Sequence, residues 1–255
     1  MSLIELLWPA FVLAILLVFI HTIFGLEIIR RGVIFTDLAI GQSAAVGMAV
    51  SVALFDSAYQ TLLTLTFAFG SAVIIALAAR RVAHIEAFIG LLYALGISAM
   101  MLILAQSSEG MELFNKLSAA DILFTMPKDV LSAFLIYGAI AIIMFLIYPK
   151  TSGVIRELLF FTALALTVTS SVQSAGVLVV FSLLVAPSYA ATLQKRFKPL
   201  YFAWGFGSAS IIAALLFSYY FDLPTGYSII FTVVGTVLFF VLLASSTPHR
   251  GNEEI

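Results

Sequence analysis

The chain has 255 residues, of which 63% are hydrophobic and only 10% are charged, and its net charge is −1. Soluble domains carry roughly 25% charged residues, and a chain of this length has too little interior to hide so much apolar surface. The composition therefore predicts a protein that lies almost entirely within the lipid bilayer and has no nucleic-acid partner. The absence of cysteine excludes disulfides, thiolate metal sites and cysteine nucleophiles.

Nine apolar segments are predicted as transmembrane helices, since a spanning helix needs about 20 mostly apolar residues. They cover residues 3–26, 33–54, 60–79, 85–105, 130–148, 158–170, 176–193, 200–220 and 227–244. The sixth segment is short, so it is predicted as a partial or re-entrant helix that protein shields from lipid. We expect an all-α, polytopic transmembrane helical bundle of about nine spans, with one transmembrane domain at 1–247 and a polar cytoplasmic tail at 248–255.

The distribution of positive charge orients this bundle. Of the 12 lysines and arginines, only Lys116 and Lys128 fall on one side of the predicted membrane. The others fall on the opposite side: Arg30, Arg31, Arg80, Arg81, Lys150, Arg156, Lys195, Arg196, Lys198 and Arg250. Because cytoplasmic loops are enriched in lysine and arginine, we expect a cytoplasmic C-terminus and an outside N-terminus. The first segment lacks a basic start and carries Glu5, which predicts a retained span instead of a cleaved signal peptide.

Two ionisable side chains are predicted within the first two spans, where desolvation is costly and a functional role is the default expectation. His21 lies five residues before the predicted end of its span, which is roughly 8 Å at 1.5 Å per residue. Asp37 is predicted at a similar depth. Either these groups hydrogen-bond to neighbouring helices or to each other, or they offer nitrogen and oxygen ligands to a cation.

Gln42 and Asp222 each allow a structural and a functional interpretation, whereas Glu86 and Pro187 are interpreted structurally. Gln42 lies nearer mid-membrane among small residues, so helix packing and lining of a pathway are equally compatible with it. Asp222 lies in the turn YYFDLPTGYS, where an N-cap is favoured over a ligand role. Glu86 opens the fourth span, where an acidic residue suits the helix dipole. Pro187 is expected to kink or end its helix.

Several catalytic signatures are missing from the sequence. It contains no G-x-x-x-x-G-K-[ST] phosphate loop, no H-E-x-x-H, no G-x-S-x-G and no G-x-G-x-x-G, so it does not supply ATP chemistry by the phosphate-loop route. Three histidines without cysteine argue against a zinc enzyme. Asp37 and Asp222 are predicted toward opposite membrane faces, which argues against a paired-aspartate protease. Transport is therefore favoured over catalysis.

Four segments carry a family resemblance: RRGVIFTDLAIGQSAAVGMAV, HIEAFIGLLYALGISAMMLILAQ, SAGVLVVFSLLVAPSYAATLQKRF and FSYYFDLPTGYSIIF. Together, over about residues 25–241, they resemble the permease subunits of bacterial metal-ion ABC importers of the zinc, manganese or iron type, the ABC-3 family. The third segment, a Gly-Val-Leu run followed by Leu-Leu, Pro and Ala before a basic edge, is the most specific.

The resemblance implies a type II ABC importer-like fold in the bacterial inner membrane and a divalent metal ion as cargo, with no cofactor on this chain. It also implies a permease dimer, a separate ABC ATPase on the cytoplasmic side and an extracytoplasmic metal-binding protein. Candidate pathway ligands are Asp37, Gln42, His21 and Asp222. The candidate ATPase-coupling segment is 188–199, with Pro187, Lys195, Arg196 and Lys198.

The sequence departs from the family pattern in the second span. Family members commonly place a histidine four residues after the aspartate, where this chain has Gly41. Alignment from Gly47 instead puts Gln42 at that position, and a spacing of five rotates it by about 140° from Asp37. Either the helix contains a π-bulge or the two side chains do not act together. His21 could restore an imidazole from the first span.

Three alternatives remain open at this point. One is an ABC permease for a metal chelate such as a siderophore or cobalamin, which needs a wide cavity and no direct ligands. Another is a secondary transporter, which predicts inverted repeats with interrupted helices, although no clear pair is found. The last is a membrane scaffold without transport activity, in which the buried polar groups serve packing alone.

Overall fold

The computed structural model describes residues 3–106, 110–119 and 122–245, and this part of the chain is built from helices joined by short loops. The helices are α1 (Leu3–Arg31), α2 (Thr36–Phe55), α3 (Gln60–Ala78), α4 (Ile85–Leu104), α5 (Gly110–Ser118), α6 (Pro127–Ile142), α7 (Gly153–Ala175), α8 (Val177–Leu193), α9 (Pro199–Phe221) and α10 (Thr225–Ser245). The helical path of α6 continues through a π turn, Ile143–Ile147, and a 3₁₀ turn, Tyr148–Lys150. The predicted all-α class is confirmed.

The predicted spans correspond to α1–α4 and α6–α10. Within the described residues, eight helices are long and apolar enough to cross a membrane, and α8 is a shorter apolar helix of 17 residues. The prediction of a partial sixth span is wrong, because α7 has 23 residues and extends at both ends beyond 158–170. Charged and polar residues in its first turns shortened the apolar segment that a hydropathy count detects. In the structure Glu157 pairs with Arg31 and the Arg156 guanidinium lies over the Tyr148 ring, contacts that a hydropathy count does not see. The predicted tail at 248–255 lies outside the described residues.

Basic residues from distant parts of the chain meet at one end of the bundle, called here the basic end. Arg30 and Arg31 close α1, Arg80 follows α3, and Arg156 lies in the first turn of α7, yet all four line one cavity. The clustering agrees with the predicted topology, in which successive spans cross the membrane in opposite directions. α4 leaves this end at Ile85 and therefore reaches the opposite end at Leu104.

Helix α2 lies at the centre of the bundle and packs against α3, α4, α7 and α8. Small residues permit these contacts. A Cβ atom added at Gly47 would lie 2.4 Å from the carbonyl oxygen of Leu63 in α3, and one added at Gly96 in α4 would lie 3.0 Å from the Cβ atom of Gln42. The close helix approach predicted for this small-residue segment is therefore present on two sides of α2.

A second close contact joins α1 to α8. A Cβ atom at Gly25 would lie 2.0 Å from the carbonyl oxygen of Leu184, so only glycine fits there. Pro187 lies inside α8 and packs near Gly207 of α9, where an added Cβ atom would be 3.1 Å from the proline Cγ atom. The helix continues past Pro187 to Leu193, so this proline does not end it.

A glycine turn connects α7 to α8. Gly176 has a φ of +85°, a left-handed value that favours glycine, and a Cβ atom there would lie 2.6 Å from the Ser118 carbonyl oxygen. Ser118 belongs to the segment that follows α4, so this contact places the start of α8 at the end of the bundle opposite the basic end. Residues packed against the start of α8 therefore lie far from the basic end.

Candidate ion pathway and partner surface

His21 is fully buried between α1 and α7. Its Nδ1 atom lies 2.8 Å from the Leu17 carbonyl oxygen and its Nε2 atom 3.1 Å from Ser171 Oγ. A carbonyl oxygen only accepts, so Nδ1 donates. In a neutral imidazole Nε2 is then an acceptor, and it shares the single Ser171 hydroxyl proton with the Thr167 carbonyl oxygen, which lies 2.6 Å from Ser171 Oγ. Both ring nitrogens are therefore engaged within the bundle, and a metal ion would have to displace Ser171 to reach Nε2.

The depth of His21 differs from the sequence prediction. Helix α1 continues to Arg31 instead of ending near residue 26, so ten residues separate His21 from its end. At 1.5 Å per residue this is roughly 15 Å, about half the thickness of a bilayer core. The basic last turn, which a hydropathy reading assigns to a loop, is in fact helical.

Asp37 lies in the first turn of α2, is 1% exposed, and neither of its carboxylate oxygens has a hydrogen-bond partner among the described residues. One turn later, Gly41 lies beside Val168 of α7 and Val177, the first residue of α8. Because α8 begins far from the basic end, this contact places Asp37 inside the bundle. Burying a carboxylate without a partner is costly, so Asp37 has unused capacity to bind a cation or a proton.

Gln42 is 4% exposed, and its Oε1 atom also has no hydrogen-bond partner. Helix α2 is a regular α-helix from Thr36 to Phe55, without a π turn. Five residues of regular helix rotate Gln42 by about 140° from Asp37. The structure therefore has no π-bulge in this segment, and Asp37 and Gln42 point in different directions. Gln42 lies on the side of α2 that faces α4.

The position of the missing family histidine is closed by apolar side chains. A Cβ atom at Gly41 would lie 3.3 Å from a Val177 methyl group and 3.4 Å from a Val168 methyl group. A larger side chain at residue 41 would therefore need both valines to move.

Asp222 lies at the end of α9 and is exposed. It adopts a left-handed backbone with φ 50°, which is the conformation of a helix C-cap. It does not act as the N-cap of α10, because the turn there is closed by Ser218, whose Oγ atom donates to Leu223 O and lies 3.0 Å from Thr225 Oγ1. Asp222 is thus separate from the buried polar groups of α1 and α2.

In the described residues, no three histidine, aspartate or glutamate side chains lie close enough together to hold a metal ion. The candidates His21, Asp37, Gln42 and Asp222 therefore do not form one chelating cluster in this structure. Another buried oxygen without a partner, Thr169 Oγ1, lies on α7. The sequence reasoning missed Thr169, since nothing in its neighbourhood marks it apart from other helix threonines.

The loop between α8 and α9, residues 194–198, is compact and exposed. The side-chain amide of Gln194 donates to the Phe197 carbonyl oxygen (2.8 Å) and accepts from the Phe197 N–H (2.8 Å). The ring of Phe197 is 58% exposed, and the charged residues around it are Lys195, Arg196 and Lys198. Of the predicted coupling residues, Pro187 is buried in α8, whereas the three basic residues lie on this accessible loop.

An ionic network at the basic end was not anticipated from the sequence. Arg31 Nε lies 2.9 Å from Glu27, and its Nη1 lies 2.5 Å from Glu157 in α7. Tyr148 donates a hydrogen bond of 2.7 Å to Glu27, which also pairs with Arg30. The spacing of Glu27 from the two arginines was a local signal, but Glu157 is 126 residues from Arg31, and no local pattern predicts that contact.

A model of the ABC 3 transport family matches residues 3–246, nearly the whole chain. The chain belongs to the ABC 3 transport family. It is a multi-pass membrane protein, as the composition predicted. The family resemblance seen in the four sequence segments is thus confirmed.

Curated relatives of this ABC 3 family member include membrane proteins of manganese transport systems and a probable iron transport system membrane protein of Haemophilus influenzae, which is 40% identical over 85 residues and covers 32% of the chain and 31% of that protein. The chain is 26% identical over 205 residues to the manganese transport system membrane protein MntB of Synechocystis sp., which covers 72% of the chain and 65% of MntB. It is 35% identical over 91 residues to MntC of Listeria innocua, covering 34% of the chain and 32% of MntC. The alignments thus span about two thirds and one third of these relatives.

The fold has a solved counterpart. The structure of PsaBC from Streptococcus pneumoniae in complex with Fab superposes with a TM-score of 0.73, covering 92% of this chain and 91% of that chain at 20% sequence identity. At this sequence identity the likeness concerns the fold alone. The predicted all-α transmembrane fold of an ABC importer permease is therefore confirmed.

Proposed function

We propose that this chain is the membrane-spanning permease subunit of an ATP-driven importer for a divalent metal ion such as manganese, iron or zinc. The observation that carries the proposal is the match of the ABC 3 transport family to residues 3–246. The names of the relatives, manganese transport system membrane proteins, support metal as the cargo.

The buried polar groups of α2 agree with an ion pathway. Asp37 and Gln42 present oxygen atoms without partners inside the bundle, and oxygen ligands suit manganese. A pathway has to release its ion, so a few weak, separated ligands serve it better than a complete chelating site. His21 would bind the ion only if its hydrogen bond to Ser171 were broken. Asp222, which is exposed at the end of the bundle opposite the basic end, would contact the ion before it enters.

The energy source is proposed to lie on a separate ABC ATPase, because the sequence has no phosphate loop. The ATPase would dock at the loop 194–198, in which an exposed aromatic ring is surrounded by Lys195, Arg196 and Lys198. With the ATPase docked there, the basic end would lie in the cytoplasm and the N-terminus outside, which agrees with the positive-inside rule. A second permease copy and an extracytoplasmic metal-binding protein complete the proposed assembly in a bacterial inner membrane.

Reconstitution tests the proposal. The chain, its ATPase and its binding protein are placed in proteoliposomes, and uptake of Mn²⁺, Fe²⁺ and Zn²⁺ is measured with and without ATP. ATP-dependent uptake of a free ion supports the proposal. Uptake of a ferric siderophore or cobalamin, but not of free ions, would contradict the cargo, and uptake driven by an ion gradient without ATP would contradict the transporter class.

A further inference from the structure

A cavity of 460 Å³ opens at the basic end, where α1 and α3 end and α4 and α7 begin. This volume is in the range of small-ligand pockets, roughly 300–1,000 Å³. Its charged lining consists of Glu27, Arg30, Arg31, Arg80, Arg156 and Glu157. Four guanidinium groups thus face two carboxylates, which leaves an excess of positive charge in an otherwise apolar region.

The two carboxylates are already occupied by the arginines of α1. Glu27 pairs with Arg30 and Arg31, and Glu157 pairs with Arg31. Arg156 comes only within 4.0 Å of Glu27, its guanidinium lies 4.7 Å from the centroid of the Tyr148 ring, and its Nε atom is buried without a hydrogen-bond partner. Arg80 forms no ion pair within the described part of the chain. The positive charges of Arg80 and Arg156 therefore have no close carboxylate partner within the described residues and can attract an anion from outside the chain.

The remaining lining indicates what kind of anion fits. Arginine forks match the geometry of phosphate oxygens, and basic pockets between transmembrane helices bind lipid headgroups. The cavity lies where four helices begin or end, which is the level of the headgroups in a bilayer. Val33, Ile85 and Phe161 also line it; these apolar side chains suit the glycerol and upper acyl carbons of a lipid, whereas a free phosphate ion would leave them without a partner.

We propose that this cavity binds the phosphate group of an anionic phospholipid, held by Arg80 and Arg156. The lipid would neutralise the excess charge that Glu27 and Glu157 leave uncompensated and would fill the gap between the ends of α1, α3 and α7. This site lies apart from the buried polar groups of α2, so it does not depend on the identity of the cargo.

The test measures retention of phosphatidylglycerol by the purified full chain in phosphatidylcholine nanodiscs, using native mass spectrometry and thermal unfolding. The double variant R80Q/R156Q removes two charges from the cavity. The matched control R81Q/K150Q removes two exposed charges, Arg81 and Lys150, from the same end but outside the cavity lining. We expect R80Q/R156Q to weaken phosphatidylglycerol binding by roughly 30-fold, and the control by less than about threefold.

Three results would overturn the proposal. Equal losses of phosphatidylglycerol binding in both double variants would mean that the lipid is held only by the overall surface charge of this end of the bundle. Stabilisation of the wild type in pure phosphatidylcholine by millimolar inorganic phosphate, as large as that given by phosphatidylglycerol, would mean a free-anion site. Unchanged lipid binding with loss of the co-purifying ATPase would assign the arginines to a protein interface. If R80Q/R156Q does not fold, the single variant R80Q is used, with an expected loss of about fivefold.

Discussion

The Nε2 atom of His21 in α1 lies 3.1 Å from the Oγ atom of Ser171 in α7, across 150 residues of sequence. This hydrogen bond joins two helices in the centre of the bundle, where both side chains are fully buried. In a neutral imidazole it uses the only nitrogen that the Leu17 carbonyl leaves free. His21 therefore contributes to helix packing, whether or not it also contacts a passing ion.

The variant Ser171→Ala should destabilise the protein by about 1 to 2 kcal/mol, since it leaves a buried imidazole nitrogen without a partner. Thermal unfolding in detergent measures the change. The control Ser132→Ala removes an exposed hydroxyl that bonds only to the Lys128 carbonyl of its own helix, and its stability should be unchanged. An equal loss of stability in the two variants would contradict a special role for the His21 contact.

The variant Asp37→Asn should separate transport from stability. It replaces a buried carboxylate without partners by a neutral amide of the same shape, so stability should stay the same or rise. ATP-dependent uptake should fall by about tenfold or more, because the charged ligand is lost. The control Asp56→Asn changes the exposed aspartate at the other end of α2, at φ 46°, a conformation that asparagine tolerates. Normal uptake by the Asp37 variant would remove this residue from the pathway.

Gly25→Ala should destabilise the contact between α1 and α8 by about 2 kcal/mol or more, because the new methyl group would meet the Leu184 carbonyl oxygen at 2.0 Å. Backbone cannot move aside as a flexible side chain can. Gly205→Ala is the control: it adds the same methyl group in α9 with nothing within 4 Å, so it should be neutral or stabilise by up to about 1 kcal/mol. Similar melting temperatures for the two variants would contradict the close approach.

Phe197→Ala should weaken binding of the ATPase by about tenfold, since an exposed aromatic ring held in a fixed loop is typical of an interface hot spot. Gln194→Ala should have a smaller effect in the same direction by freeing the loop. The control Tyr220→Ala removes a ring that is 76% exposed at the opposite end of the bundle. ATPase binding is measured by co-purification and titration. If the Tyr220 variant loses as much affinity as the Phe197 variant, the loop 194–198 is not the docking surface.

Much of the fold was accessible from the sequence because transmembrane segments are signalled locally. Apolar runs and loop charges predicted nine spans, and all correspond to helices. The errors fell where charge continues inside a helix. Arg31 extends α1 beyond its predicted end, and Arg156 and Glu157 open α7. Hydropathy treats such residues as loop, but partners on other helices allow them to remain helical.

The candidate site was accessible only in part. The sequence singled out His21, Asp37, Gln42 and Asp222 because polar groups are costly in a membrane, and three of them are indeed buried. Their relationships were not predictable. The partner of His21 is Ser171 instead of Asp37, and Asp222 caps the end of α9 at the surface. Partners of this kind depend on helix tilt and rotation, which leave no periodic signal in either helix.

The sequence by itself determined three properties: the location of the protein in the bilayer, the positions of the spans along the chain, and the end that carries the positive charge. Each of these follows from the composition of short segments. Only the tertiary structure decided which polar groups have partners. It gave His21 a serine on α7, left both oxygens of Asp37 without a hydrogen bond, and left Arg80 and Arg156 with spare charge beside a cavity. The physical reason is that satisfaction of a buried polar group depends on the positions of atoms more than a hundred residues away in the chain.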